Sequence, residues 1–287
     1  MNLDEYLKQH YSNDTAIAYG REIAIYCSNY PEADKAVYKD VLNYIGSLRN
    51  RYNNASTLNR IVSSIKVYYD YLCQEGIRYD NPARSVQLKD QRSRDTQLQD
   101  LFTVEELERL MHRQERYRYL DYRNKVLISL VIYQALHPAE METLHTSDIN
   151  LADGTVYVKV TPKTNSRILS LKPNQILLFH QYITEIRPKL LQENQSSALL
   201  IGIRGEPMSG EDITKHIKRS YTTIYPGRNV TAQTIRQSVI ANLLKQGNEL
   251  SIVQAFAGHK YPSSTERYRQ AEIETLAAAI NKYHPMA

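Results

Sequence analysis

Tryptophan is absent from this 287-residue chain, phenylalanine occurs only 3 times and cysteine only 2. Two cysteines, Cys27 and Cys73, supply neither a disulfide framework nor the ligand spacing of a zinc site. Both fall within amphipathic helical patterns, so they read as buried apolar residues of a protein kept in a reducing cytoplasm. No stretch approaches the ~20 apolar residues of a membrane helix. The opening MNLDEYLKQHYSND lacks the apolar core of a secretion signal. No internal repeat or low-complexity tract is visible. What the chain has in excess is tyrosine, 23 residues of it. A tyrosine packs with its ring and reaches a phosphate with its hydroxyl, although the count alone fits compositional bias equally well. With 42% hydrophobic and 23% charged residues the composition is that of an ordinary soluble globular protein. A net charge of +5 leans towards an acidic partner without identifying one.

The length suits two domains. Residues 1–88 read as all-helical. A helix starts near Ser12–Thr15 with apolar positions Ile17, Ile23, Ala24 and Cys27, and a second runs from about Asp34 with Val37, Val41, Ile45 and Leu48 at helical spacing. A third starts near Ser56, carries Leu58, Ile61, Ile65, Tyr68, Tyr69 and Leu72, and stops at Gly76. This third helix is also polar along part of its length, with Thr57, Asn59, Arg60, Ser63, Ser64 and Lys66 as candidate DNA contacts. Arg60, Ser63 and Ser64 lie three to four apart and would share a face that can meet phosphates, or be simply solvated. Residues 89–98 lack apolar periodicity and read as a linker.

From Thr103 a second domain opens at 99–287. Thr103-Val-Glu-Glu106 is a capping-box pattern, a strongly apolar helix follows around 126–136, and two short strands are expected at 155–160 and 168–171. The remainder reads as helices at about 173–191, 210–223, 231–246, 249–257 and 263–282. In the last of these, Ile273, Leu276, Ala277 and Ile280 have helical spacing.

The sharpest signal spans residues 230–268: Gln233-Thr-Ile-Arg236, then Ala257-Gly-His259, then Ser264-Thr-Glu-Arg-Tyr268. It resembles the second conserved region of the tyrosine recombinase, or phage integrase, family: His-x-x-Arg, a leucine-rich helix, Leu-Gly-His, Ser/Thr-Thr-x-x-Tyr. Arg236 precedes His259 by 23 positions and His259 precedes Tyr268 by nine. Gln134-Ala-Leu-His137-Pro-Ala-Glu-Met141 resembles the family's first box, Thr-Gly-Leu-Arg-x-Ser-Glu-Leu. Thr161-Pro-Lys163-Thr-Asn-Ser-Arg167 stands at its β-hairpin lysine, and residues 57–72 resemble its core-binding helix. The whole chain is thus identified as Xer-like with a divergent active site. The resemblance implies a mainly α fold with a small β-sheet. A helical SAM-like core-binding domain would clamp one face of a DNA duplex and an α+β catalytic domain the other, joined by the linker.

The resemblance also implies roles. Tyr268 would attack a phosphodiester, leaving a phosphotyrosyl bond and a free 5′-hydroxyl, with no cofactor, metal or ATP. Arg236 and His259 would hold the phosphate, and Lys163 would protonate the leaving oxygen. Two positions depart from the pattern. Gln233 replaces the histidine of His-x-x-Arg, a mild change because an amide still donates a hydrogen bond. His137 replaces the first-box arginine, and an imidazole cannot make a bidentate fork. Arg167 and Lys260 are the basic side chains at hand to compensate.

Two readings follow. In the first, the chain is a site-specific recombinase, binding an inverted-repeat double-stranded DNA site as a dimer and synapsing two sites as a tetramer, and monomeric when free. The helix 271–282 would pack on a neighbouring protomer or on its own domain. In the second, it is a catalytically impaired relative, acting as a sequence-specific DNA-binding regulator or accessory protein of a mobile element.

Overall fold

The structure is a computed structural model that describes residues 1–88 and 101–268. The linker expected at 89–98 and the helix expected at 271–282 lie outside the described residues. The chain divides into two compact units, Met1–Arg94 and Asp95–Ala287.

The first unit is built from α1 (Leu3–His10), α2 (Asn13–Asn29), α3 (Tyr38–Arg49) and α4 (Ala55–Gln74). Sequence periodicity missed α1, a short helix held by a capping box in which Asn2 accepts from Glu5 N–H at 2.8 Å and Glu5 accepts from Asn2 N–H at 3.2 Å. In α2 the buried residues are Ala16, Ile23 and Tyr26, while Ile17 and Ala24 face solvent, so the expected face was partly out of phase. Val37 is exposed as the N-cap of α3. Cys27 and Cys73 are half-buried and free rather than fully buried. Much of the tyrosine excess goes into this core. Tyr26 and Tyr69 are fully buried and joined hydroxyl to hydroxyl at 2.6 Å, and Tyr69 donates to Ala33 C=O at 2.9 Å. Such pairing satisfies polar tips that would otherwise be costly to bury.

The second unit opens with α5 (Val104–Met111), which has the expected Thr103/Glu106 capping box. Its core is α6 (Arg118–Gln134), whose middle is buried nearly all round from Val126 to Ile132. After α7 (Pro138–Glu142) comes a three-stranded antiparallel sheet of β1 (Ile149–Asn150), β2 (Thr155–Val158) and β3 (Arg167–Ser170). The short β1, which was not among the two strands expected, pairs through Ile149 with Val156. A helix follows in three pieces: α8 (Pro173–Gln181), a π turn at Tyr182–Ile186 and α9 (Arg187–Leu191). Then come α10 (Gly210–Tyr221), α11 (Ala232–Lys245) and α12 (Leu250–Ala257), with a further helical turn at 263–268. The layout places α7 against α10, α11 against α6, and α12 against β3. It thereby gathers the ends of α7, α11 and α12 and the β2–β3 turn in one place. Among the described residues, no helix is long and apolar enough to cross a membrane.

Candidate active site

Helix α6 ends when Ala135 takes a left-handed conformation with φ 51°, and the redirected chain makes His137 the N-cap of α7. Its Nδ1 accepts the Ala139 N–H at 3.2 Å, and the Glu140 carboxylate accepts the His137 N–H at 2.8 Å. This is a capping box built with an imidazole in place of a hydroxyl. A ring nitrogen that accepts carries no proton, so the hydrogen-bond pattern assigns the neutral ring's proton to Nε2.

Glu140, 1% exposed, is the hub of the site. Its Oε1 accepts from Arg167 Nη1 at 2.7 Å, and its Oε2 accepts from Arg167 Nη2 at 3.2 Å and from Arg236 Nη1 at 3.4 Å. Burial alone would push the Glu140 carboxyl up, but the Arg167 fork, the charge of Arg236 and the His137 N–H outweigh it and hold the pKa below the ordinary value. Arg167 Nε also donates to Phe256 C=O at 2.7 Å. Arg236, on the inner face of α11, donates through Nη2 to Ala257 C=O at 2.5 Å and through Nη1 to Ala135 C=O. One carboxylate thus serves two buried guanidiniums, leaving the cluster one positive charge in excess.

The β2–β3 turn is pinned to the end of α12. Thr164 forms an isolated bridge with His259, and Asn165 N–H donates to Gly258 C=O at 2.8 Å. Gly258 has φ +70°, and a Cβ there would collide with the Arg167 guanidinium, so both the conformation and the close approach require glycine. His259 Nδ1 lies 2.8 Å from the hydroxyl of the buried Thr265. Burial, then the charges of Arg236, Arg267 and Arg167, push the His259 pKa down to about 4. The His137 pKa is lowered by burial, then by Arg236, with Lys163 adding to the effect. Lys163 is exposed on the turn, its N–H donating to Thr161 Oγ1 at 3.2 Å. Gln233 is exposed on the first turn of α11. Tyr268 is 3% exposed and packs against Ile240, Val253 and Ala257. Arg267 Nη2 donates to its hydroxyl at 3.4 Å, and Tyr268 is close enough to act on the charge of Arg236.

Residues 100–274 match the phage integrase family and residues 2–76 its N-terminal SAM-like domain. The chain belongs to the phage integrase family. It is similar to the tyrosine recombinase XerD of Staphylococcus saprophyticus, at 26% identity over 99% of each protein. Among solved structures it resembles the Tn1549 transposon integrase in complex with a circular intermediate DNA, with a TM-score of 0.72, 16% identity, and coverage of 96% of this chain and 99% of that one. It also resembles a lambda integrase dimer bound to a COC′ core site, with a TM-score of 0.70, 16% identity, and coverage of 93% and 75% respectively.

The structure brings His137, Arg236, Lys163 and His259 of this integrase around the Glu140–Arg167 pair. Sequence reasoning missed Glu140, Thr164 and Thr265 as members of the site, and named Arg167 only as a basic side chain that could compensate for His137, not as the partner of Glu140. Glu140 was legible in part, since a Glu three residues after a cap is a capping-box signal. The long-range fork from Arg167 has no local signature. In the SAM-like unit, Ser64 does not share a surface with Arg60: it is fully buried and its hydroxyl donates to Ile61 C=O at 2.8 Å. Its neighbours Ile61 and Ile65 turn that side of α4 inwards, and Ser64 is withdrawn as a DNA contact. Arg60 is exposed but ion-paired with Glu22 at 2.7 Å. Asn59 Nδ2 and Ser63 Oγ bond back to Ala55 and Asn59 carbonyls, each at 2.8 Å. Thr57 and Lys66 are half-buried.

Proposed function

We propose that this chain, a tyrosine recombinase acting in site-specific DNA recombination, cleaves DNA through Tyr268. In this reading Arg236, His259 and His137 hold the scissile phosphate and Lys163 protonates the leaving oxygen. The observation that carries it is the buried cluster in which Glu140 balances only one of two guanidiniums. The remaining positive charge is preorganised for an anion that gains charge in the transition state. Arg167 does not stand in for the missing first-box arginine, because its fork and its Nε are already committed. Lys260 lies exposed beside His259. The first-box place is therefore taken by His137 itself, which presents Nε2–H as a single neutral donor and charges only when a phosphate draws its pKa up. Tyr268 is stored against an apolar pocket in the free protein, so the turn carrying it shifts outwards on DNA.

The DNA partner is read as an inverted-repeat site bound by two protomers, with four in the synapse. The SAM-like unit ends near residue 88 and contacts the duplex through Thr57, Asn59, Arg60, Ser63 and Lys66, Arg60 exchanging Glu22 for a phosphate. The test is covalent trapping on nicked duplexes drawn from the DNA flanking the gene. A protein–DNA adduct on a denaturing gel that disappears in Tyr268→Phe supports the reading. Sequence-specific binding without an adduct, restored in His137→Arg, favours a DNA-binding role without strand cleavage.

A further inference from the structure

On the far side of α10 from the α7 contact lies a cavity of about 990 Å³, between that helix and the 202–208 turn. Its floor is Arg123, which is 5% exposed. Arg123 donates through Nε and Nη2 to Asn124 Oδ1, at 3.0 and 2.8 Å. Its Nη1 has no acceptor among the described residues, and no carboxylate there lies within ion-pair distance of it. The nearby Glu115 is already taken, paired with Arg113 and accepting from Asn124 Nδ2 at 2.8 Å. Arg167 and Arg236 share Glu140 at the active site, whereas Arg123 has no carboxylate partner among the described residues. A buried cation left without an anion is expensive, and here it borders an open space. The rim adds Arg204, Lys218 and Arg219, all exposed, against Glu206 and Asp212. Lys215 on the same helix is paired with Glu211, and Asp212 is tied to Ser209. His216, between Lys215 and Arg219 on the wall, has a buried Nε2 without a hydrogen-bond partner. The opposite wall is apolar, formed by Ile203, Pro207 and Met208.

We infer that this cavity binds a nucleoside phosphate, with the phosphate on Arg123 and the cationic rim and the base against Ile203, Pro207 and Met208. The volume is that of a small-molecule site, and an apolar wall with a few convergent polar groups is how such sites are lined. A guanidinium with free N–H groups is the natural partner of a phosphate. The inference does not depend on strand cleavage at Tyr268, because the two sites share no side chain.

The test is calorimetric titration of the full chain, without DNA, by ADP, adenosine and inorganic pyrophosphate, repeated with a Lys218→Ala/Arg219→Ala variant and with Arg123→Gln. ADP is expected to bind at least about tenfold more tightly than adenosine or pyrophosphate, and Arg123→Gln to weaken it by about tenfold or more. The rim variant changes only exposed positions and keeps the test valid if Arg123→Gln does not fold; it too should weaken ADP. The His216 ring, followed by its nitrogen NMR signals, should take up a proton at higher pH when ADP is bound. No heat from ADP at millimolar concentration, or equal affinity in the rim variant, overturns the inference. Pyrophosphate binding as tightly as ADP overturns the nucleoside assignment and leaves a simple anion site.

Discussion

Arg167 meets Glu140 as a fork, Nη1 to Oε1 at 2.7 Å and Nη2 to Oε2 at 3.2 Å, with both side chains out of solvent. The pair joins β3 to α7, and through Phe256 C=O it also joins α12. Removing the arginine leaves a buried carboxylate with the His137 N–H at 2.8 Å and, as its one cation, Arg236 at 3.4 Å. Arg167→Ala should therefore destabilise the chain by about 3–5 kcal/mol, and the added loss from Glu140→Ala should be much smaller than the loss from Glu140→Ala alone. Denaturant midpoints of the two single variants and the double variant check this; additive losses would mean the pair is not coupled.

Gly258 should not tolerate a side chain. At φ +70° and against the Arg167 guanidinium, Gly258→Ala combines backbone strain with displacement of the fork. A loss of about 1–3 kcal/mol or more is expected. Unchanged thermal unfolding would contradict the close approach.

The pH dependence of stability follows from the histidines. His216 and His259 have folded pKa values pushed down to about 4, and His137 shifts the same way. An unfolded histidine titrates near ~6.5, so as pH falls the unfolded chain takes up these protons first. Their contribution is complete above about 6.5 and is lost progressively towards about 4. The Glu140 carboxyl, held below its ordinary value, adds a loss at lower pH still. Denaturant midpoints in phosphate-free buffer should fall steadily from neutral pH to mildly acidic pH. A midpoint that rises over that window would contradict the burial of these rings.

His137→Arg should separate catalysis from folding. A guanidinium restores the bidentate phosphate contact and should raise cleavage by up to ~10²–10³-fold. It also removes the Nδ1 cap on α7, at about 0.5–2 kcal/mol of stability. Single-turnover cleavage and thermal unfolding of the same variant check both signs.

Most of the fold was legible because the elements that carry it have strong local signals. The Thr103/Glu106 capping box, the apolar run of α6 and the alternating β2 each declare themselves within a few residues. Helix α1 was missed because eight residues offer too little periodicity, and the face of α2 was misjudged because Tyr26, not Ile17, fills the core. In the candidate site, Arg236, His259 and Tyr268 were singled out through the family resemblance. The Glu140–Arg167 fork spans 27 positions and is set by tertiary packing, which no local pattern encodes. Ser64 failed for a related reason: a serine three residues after Ile61 can bond its own helix and turn inwards.

The most direct measurement is the location of the covalent bond. Protein trapped on a nicked duplex would be digested with an enzyme that cuts after lysine, and the nucleotide-bearing peptide identified by mass spectrometry. The peptide 261–282 contains two tyrosines, Tyr261 and Tyr268. The remnant is expected on Tyr268, with Tyr261 unmodified. A remnant on Tyr261 or on another peptide would contradict the assignment of Tyr268 as nucleophile.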